Sequence, residues 1–432
     1  MLVIIILIAV LIFWLLVALP RKQFKSLLWI LLITGIWSAT WLLLLQYELI
    51  IAGSTTGTYG GDATYYYNAM YIGYIADNPT QAISSYYNQL YIWLGIIICK
   101  TSPFFSIIWV KIGNIVLLLY IISMIYIMLY RAGVPRQITA FICLFAGLNG
   151  IVTWMCIRNL KDTLFLFFLV FNCFIAVNFY SFYKRKAIKS IIIFSFFLIL
   201  LSIILSSWFR DIRQWAYIIP WLIMISLLVR ILMDNRSINR GIPILGASVI
   251  LLLPIIIPTV IGTDVISSFE TYASTIGLGE KTGHSLINGI IVGLLRFVIG
   301  PGPIRAMMGN DTFLVTTNIG NILIFLGALM WWLVIPLMVL RIKELIKIIP
   351  KEIIIVTPFL TYVFIYIYVY QGSVETRFRA VLYIVSMLLW GLTYAYYQPK
   401  VSKTHNIQLA YIICAFAVFA LGTAATYFSL SY

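Results

Sequence analysis

The chain has 432 residues, 63% of them hydrophobic and only 10% charged, with a mean hydropathy of +1.04. A soluble domain carries about a quarter charged residues, so soluble readings are excluded. The formal net charge of +16 comes from short basic loops between apolar runs, with no basic tail or Arg-rich helix to track a nucleic-acid backbone.

The first apolar run, residues 2–19, opens without Lys or Arg and shows no small-residue cleavage site, so it reads as a retained span rather than a signal peptide. Further apolar runs predict spans at about 27–49, 106–130, 137–157, 163–183, 188–207, 214–229, 242–261, 313–340, 352–370, 378–397 and 407–429, with the first at 2–20. The stretch 91–99 is too short to span and is expected as an interfacial or re-entrant helix. Cys99, Cys143, Cys156, Cys173 and Cys414 are scattered through apolar runs without a CxxC, which gives neither a disulfide framework nor a thiolate metal site.

Orientation follows from the basic residues. Arg21, Lys22 and Lys25 follow the first run, Arg131 and Arg136 the third, and Lys184, Arg185, Lys186 and Lys189 the fifth. Arg230, Arg236 and Arg240 follow the seventh, Arg341, Lys343, Lys347 and Lys351 the ninth, and Lys400 and Lys403 the eleventh. Every second loop is thus basic, and together these loops hold eighteen of the 29 Lys and Arg. Such loops are cytoplasmic. The expected fold is all-α and polytopic: about twelve transmembrane helices in one membrane domain (1–432), both termini outside. Two long outer loops, about 46–103 and 262–311, carry short interfacial helices and form the candidate site face.

Eleven cations remain on the outer flank, several at the ends of spans. In the first outer loop Gly60 and Gly61 precede Asp62, and Tyr65, Tyr66 and Tyr67 follow. Glycines let backbone approach a ligand, tyrosines suit sugars, and the carboxylate suits an acceptor hydroxyl proton; an Asp in a turn beside an aromatic belt fits the same residues. Arg158, Lys161 and Asp162 stand at the outer ends of two spans, with Asp162 in the first turn of its helix. The two cations would share a face if that stretch is wound. Arg210 and Arg213 repeat the spacing, and Arg is built for bidentate phosphate contact. Arg296 and Arg305 flank a Gly-Pro-Gly-Pro turn, and Arg377 and Arg379 follow Glu375. Each group fits either phosphate binding or the anchoring of helix ends. His284 and His405 fall on opposite flanks, no metal pair is expected, and no nucleotide fingerprint is present, so no cofactor is implied.

Taken in order, Gly-Asp-Ala, Leu-Lys-Asp, Phe-Arg-Asp-Ile-Arg, Gly-Pro-Gly-Pro and Glu-Thr-Arg-Phe-Arg give a layout that resembles bacterial O-antigen or capsule repeat-unit polymerases and the C-type glycosyltransferases. The resemblance implies a multi-pass protein of the bacterial inner membrane with its active site on the periplasmic face. An undecaprenyl-diphosphate-linked glycan would be the donor and a lipid-linked repeat unit the acceptor. A chain-length regulator and a flippase would be partners. Asp62 would act as base, and Arg210, Arg213, Arg296 and Arg305 would hold the lipid diphosphate. Two other readings stay open: a C-type enzyme adding one sugar from a polyprenyl-phosphate donor, and a transporter or flippase of lipid-linked oligosaccharide.

Overall fold

The computed structural model describes residues 1–58, 61–86, 88–185, 193, 197–198, 201, 215–234, 300, 318–370, 376–397 and 404–430. Side chains at 215–221, 364–370, 376–377, 404–407 and 422–430 are outside that description. Among the described residues the secondary structure is all helix. Where no water reaches the backbone, only such self-bonded structure is tolerated. The helices are α1 (Leu2–Ala18), α2 (Arg21–Ile51), α3 (Gly61–Ile75), α4 (Pro79–Ala82), α5 (Gln89–Lys100), α6 (Ile107–Arg131), α7 (Arg136–Leu148), α8 (Gly150–Ile157) and α9 (Asp162–Lys184). After these come α10 (Trp215–Asp234), α11 (Asn318–Leu340), α12 (Ile342–Ile348), α13 (Ile353–Tyr370), α14 (Thr376–Tyr396) and α15 (Thr404–Leu430).

Among the described residues five helices are long and apolar enough to cross a membrane: α2, α6, α9, α11 and, within α14, residues 378–396. The pair α7 and α8, bent by 48° at its break, makes a sixth if it is one span. The expected short outer stretch is α5, which packs on α3, α6 and α1. The expected spans at 188–207 and 242–261 lie wholly or largely outside the described residues, as does the loop 262–311 apart from Gly300.

The chain divides into two compact units. The first comprises Met1–Phe167, Val298–Ile346 and Val374–Tyr432. Its axis is α6, buried over most of its circumference and packed by α1, α2, α5, α7, α8 and α14. A helix apolar on all sides belongs in such a centre. By contrast α1, α2 and α15 turn Phe13, Val17, Trp29, Leu43, Ile50 and Phe416 outward. Exposed apolar faces of that extent fit a lipid solvent. At one end of the bundle Gln23 accepts from the Tyr126 hydroxyl (2.6 Å) and Ser26 Oγ from Arg136 Nε (3.3 Å), so the first two basic loops lie together. The second unit comprises Phe168–Phe297 and Lys347–Ser373. In it α10 packs on α13, Lys184 pairs with Asp234 at 3.8 Å, and Tyr180 donates to the same carboxylate. Arg230 lies 5.3 Å over the Tyr180 ring and donates to the Pro350 carbonyl at 3.3 Å. Three further basic loops therefore meet within that unit.

Two packing details set the depth of the first unit. Asn149 takes an extended conformation between α7 and α8, and its Oδ1 accepts from the N–H groups of Ile151 (3.0 Å) and Val152 (3.3 Å). Its Nδ2 donates to the Gly327 carbonyl at 3.2 Å, so the break is stitched to α11. Gly150 and Gly327 let the two backbones touch: a Cβ at Gly150 would collide with the Leu323 carbonyl oxygen. The second detail is the parallel register of α11 and α14. Trp331 stacks on Tyr383 at 4.2 Å, and Trp390 Nε1 donates to the Leu337 carbonyl at 3.1 Å. Arg341 Nη2 donates to the carbonyls of Tyr397 (2.6 Å) and Thr393 (3.3 Å).

Gly150→Val is expected to destabilise the bundle by about 3 kcal/mol or more, because the obstacle is backbone and cannot turn aside. At Gly35, mid-way along α2, an alanine methyl would meet nothing within 4 Å. Gly35→Ala is therefore expected to be neutral or to stabilise by up to about 1 kcal/mol through helix propensity. Thermal unfolding of both variants in detergent checks the contrast.

Candidate functional site

The site is built at the end of the first unit where α2 stops and α6 and α11 start. Two left-handed glycines, Gly57 (φ 64°) and Gly61 (φ 52°), shape the segment that leads into α3. Hydroxyls hold it: Ser54 Oγ donates to the Thr58 carbonyl (2.9 Å), and Thr58 Oγ1 lies 2.7 Å from Thr56 Oγ1 and 3.1 Å from Thr64 Oγ1. Lys111, on α6 and 1% exposed, donates its ammonium to the Gly57 carbonyl at 2.8 Å. A buried ammonium is costly unless it is bonded, so this contact fixes the segment from beneath.

Asp62 stands half-buried in the first turn of α3, where the helix dipole favours a carboxylate. Tyr65 and Tyr66 follow one turn later and so share its side of the helix. The buried Tyr66 hydroxyl accepts from Asn88 Nδ2 and from the Lys161 ammonium, both at 2.9 Å. Tyr65 and Tyr91 meet the Tyr66 ring edge-on at 5.4 and 5.2 Å, and Tyr86 tilts against Tyr65 at 5.3 Å.

Two amides join the turn between α8 and α9 to this helix and its neighbours. Asn159 Nδ2 donates to the Ala63 carbonyl (3.0 Å), and Asn159 Oδ1 accepts from the Tyr91 hydroxyl (3.0 Å). Burial pushes the Tyr91 phenol well above its ordinary value, so it keeps the proton it donates. Asn114 Nδ2 reaches the Tyr91 hydroxyl (3.3 Å) and the carbonyls of Arg158 (3.3 Å) and Leu160 (3.4 Å). Asp162, 5% exposed, opens α9 as expected.

Asp62, Tyr65, Tyr66, Lys161 and Asp162 are thus drawn onto one frame. The stretch carrying Arg158 and Lys161 is not wound, so the two do not share a helical face. Arg158 is extended at the end of α8, its guanidinium 5.2 Å over the Trp154 ring and close enough to Lys111 for their charges to act on each other. Lys161 instead turns inward, 7% exposed, to Tyr66. Arg210, Arg213, Arg296 and Arg305 lie outside the described residues, and Arg377 stands in the first turn of α14 with its side chain outside them.

Arg379 stands apart in depth. It precedes Tyr383 by one turn, so by the register of α11 and α14 it is level with Gly327, one turn before Trp331. That level is roughly 14 Å along α11 from its first residue, at about 1.5 Å per residue. Arg379 is 2% exposed.

Lys111, Asn88, Asn114 and the bonding role of Asn159 were not evident from loop motifs. A lone Lys and a lone Asn one turn apart in an otherwise apolar run were the available signals, since ionisable groups inside such runs carry a cost that needs a reason. Glu48 is a further case: its carboxylate accepts from the N–H groups of Asn318 (2.6 Å) and Ile319 (3.1 Å), capping α11 from the end of α2.

The frame offers a carboxylate, tyrosine faces and buried cations at one end of a helical bundle. That is enough to orient a hydroxyl-bearing ligand and to meet negative charge. Tyr66→Phe removes the acceptor of both Asn88 and Lys161 and is expected to cost about 1–3 kcal/mol. In a double-mutant cycle with Lys161→Met, thermal unfolding should give a coupling of about 0.5–3 kcal/mol, because Lys161 loses the same bond either way. No family model, curated protein or solved structure matches the chain.

Proposed function

We propose that this chain is a membrane glycosyltransferase that uses polyprenyl-linked sugars in surface polysaccharide synthesis, acting as the repeat-unit polymerase. In this reading the chain crosses the bacterial inner membrane about twelve times, and the α3 end faces the periplasm. One observation carries it: a buried ammonium, Lys161, is anchored on the phenol of Tyr66 one turn after Asp62 on the same helix. A proton acceptor and a cation are thereby held within one polar frame.

The chemistry balances without a cofactor. An acceptor hydroxyl oxygen attacks the anomeric carbon of the donor and gives its proton to Asp62. The bond from the anomeric carbon to the phosphate oxygen breaks, and the polyprenyl diphosphate leaves with the electron pair. Lys161 and Arg158 stabilise the charge that builds there, as preorganised cations do best where water is excluded. Tyr65, the less buried of the pair, presents its ring to the sugars, and the buried Tyr66 holds Lys161 in place. Undecaprenyl-diphosphate-linked glycans are the substrates, and a chain-length regulator and a flippase are the partners this role calls for.

A second reading, a transporter of lipid-linked oligosaccharide, draws on the broken pair α7 and α8 and on the depth of Arg379. Discontinuous helices and charges well inside the bundle are features of transporter sites.

In a strain whose surface glycan is displayed on a gel, Asp62→Asn is expected to cut polymer formation by about 100-fold or more, collapsing the ladder to one repeat, with Asp62→Glu partly restoring it. Unchanged ladders from both Asp62→Asn and Lys161→Met, at normal levels in the membrane, would sink the polymerase reading. Loss of a side sugar with the ladder intact assigns a single-sugar transferase instead. Movement of labelled lipid-linked sugar in vesicles without bond formation assigns a transporter.

A further inference from the structure

We propose that Arg379 forms the floor of an oxyanion-binding site inside the helical bundle, level with the break between α7 and α8. A guanidinium stays charged at any physiological pH and carries five N–H donors. In Arg379, Nε and Nη1 are both buried and neither meets a hydrogen-bond acceptor among the described residues. Its neighbours in the chain, Phe378, Ala380, Val381 and Leu382, are all buried as well. Removing one partner of a buried pair is strongly destabilising, because the other charge is left unmatched. A chain that keeps Arg379 in that condition keeps it for an anion that arrives.

The surroundings fit a ligand rather than a structural anchor. Arg341, at the far end of the same two helices, is the anchoring case: its Nε is also buried without a partner, but its Nη2 has two carbonyl acceptors and a ring lies 3.7 Å beneath its guanidinium. At the level of Arg379 the helices are close-set. Asn149 and the backbones of Gly150 and Gly327 lie at the same height on α8 and α11, and α14 packs on α8 and α11. One turn further on, the Tyr383 hydroxyl lies 3.5 Å from the carbonyl of Gly300, the first residue of the Gly-Pro-Gly-Pro sequence. The ligand is a phosphate or carboxylate group, and Arg379 meets it through charge-assisted hydrogen bonds. The site serves an enzyme or a transporter of anionic lipid-linked sugars equally, so it does not depend on the chemistry assigned to Asp62.

The full chain is purified in detergent, and its melting temperature is followed with inorganic pyrophosphate, farnesyl diphosphate, glucuronate or neutral farnesol. Wild-type protein is expected to be stabilised by at least one of the three anions and not by farnesol. Pyrophosphate alone marks a free phosphate, farnesyl diphosphate alone a lipid-borne one, and glucuronate a sugar acid. Arg379→Met is expected to melt no lower than wild type without ligand, since it removes an unmatched charge, and to bind the anion at least about tenfold more weakly. Arg379→Lys should retain part of the binding. Equal stabilisation of Arg379→Met and wild type, no stabilisation of either, or a large fall in the melting temperature of Arg379→Met without ligand would overturn the proposal. These outcomes are read on binding alone, so they are separate from the fate of the glycan ladder in Asp62→Asn.

Discussion

A cation inside an apolar bundle must be solvated by the protein, and the Lys161 ammonium obtains this from the Tyr66 hydroxyl. The arrangement of the site depends on that bond. It holds the turn after α8 against α3, it sets the Tyr66 ring edge-on to Tyr65 and Tyr91, and it leaves Asp62 one turn away on the same helix. Asn159 and Asn114 reinforce it by binding backbone on either side. Each buried amide here spends its donors on another segment. In such surroundings a half-satisfied network costs more than an apolar core, so the network specifies one geometry.

Much of the fold was legible in the pattern of apolar runs. The run at 106–130 became Ile107–Arg131, that at 352–370 became Ile353–Tyr370, and the short stretch at 91–99 became α5. Apolar length and flanking charge locate helices well because backbone in an apolar medium has few alternatives. The break inside 137–157 was not expected. Its signal was Asn149-Gly150, a pair that elsewhere marks turns, here sitting inside an apolar run. The break persists because Asn149 caps the helix that follows it and binds α11 as well.

The site was legible only in part, and the reason is geometric. Asp62 and its tyrosines stand out in the sequence because glycines, a carboxylate and rings are local signals. Lys161 stands out as a charge at the end of a span, but its spacing from Arg158 gives a shared face only in a wound segment, and this stretch is not wound. Asn88, Asn114 and Lys111 are separated by tens of residues from the groups they bind. No local pattern encodes such pairings. The depth of Arg379 is of the same kind, because it follows from the side-by-side register of α11 and α14 and not from its place just after an outer loop.

The contact of Gly150 with Gly327 bears on how a long-chain substrate reaches the interior. Where two main chains touch without side chains between them, no hydrocarbon tail can slip through. The seam of α8 and α11 is closed along that stretch, and a molecule arriving sideways from the bilayer must part a different pair of helices.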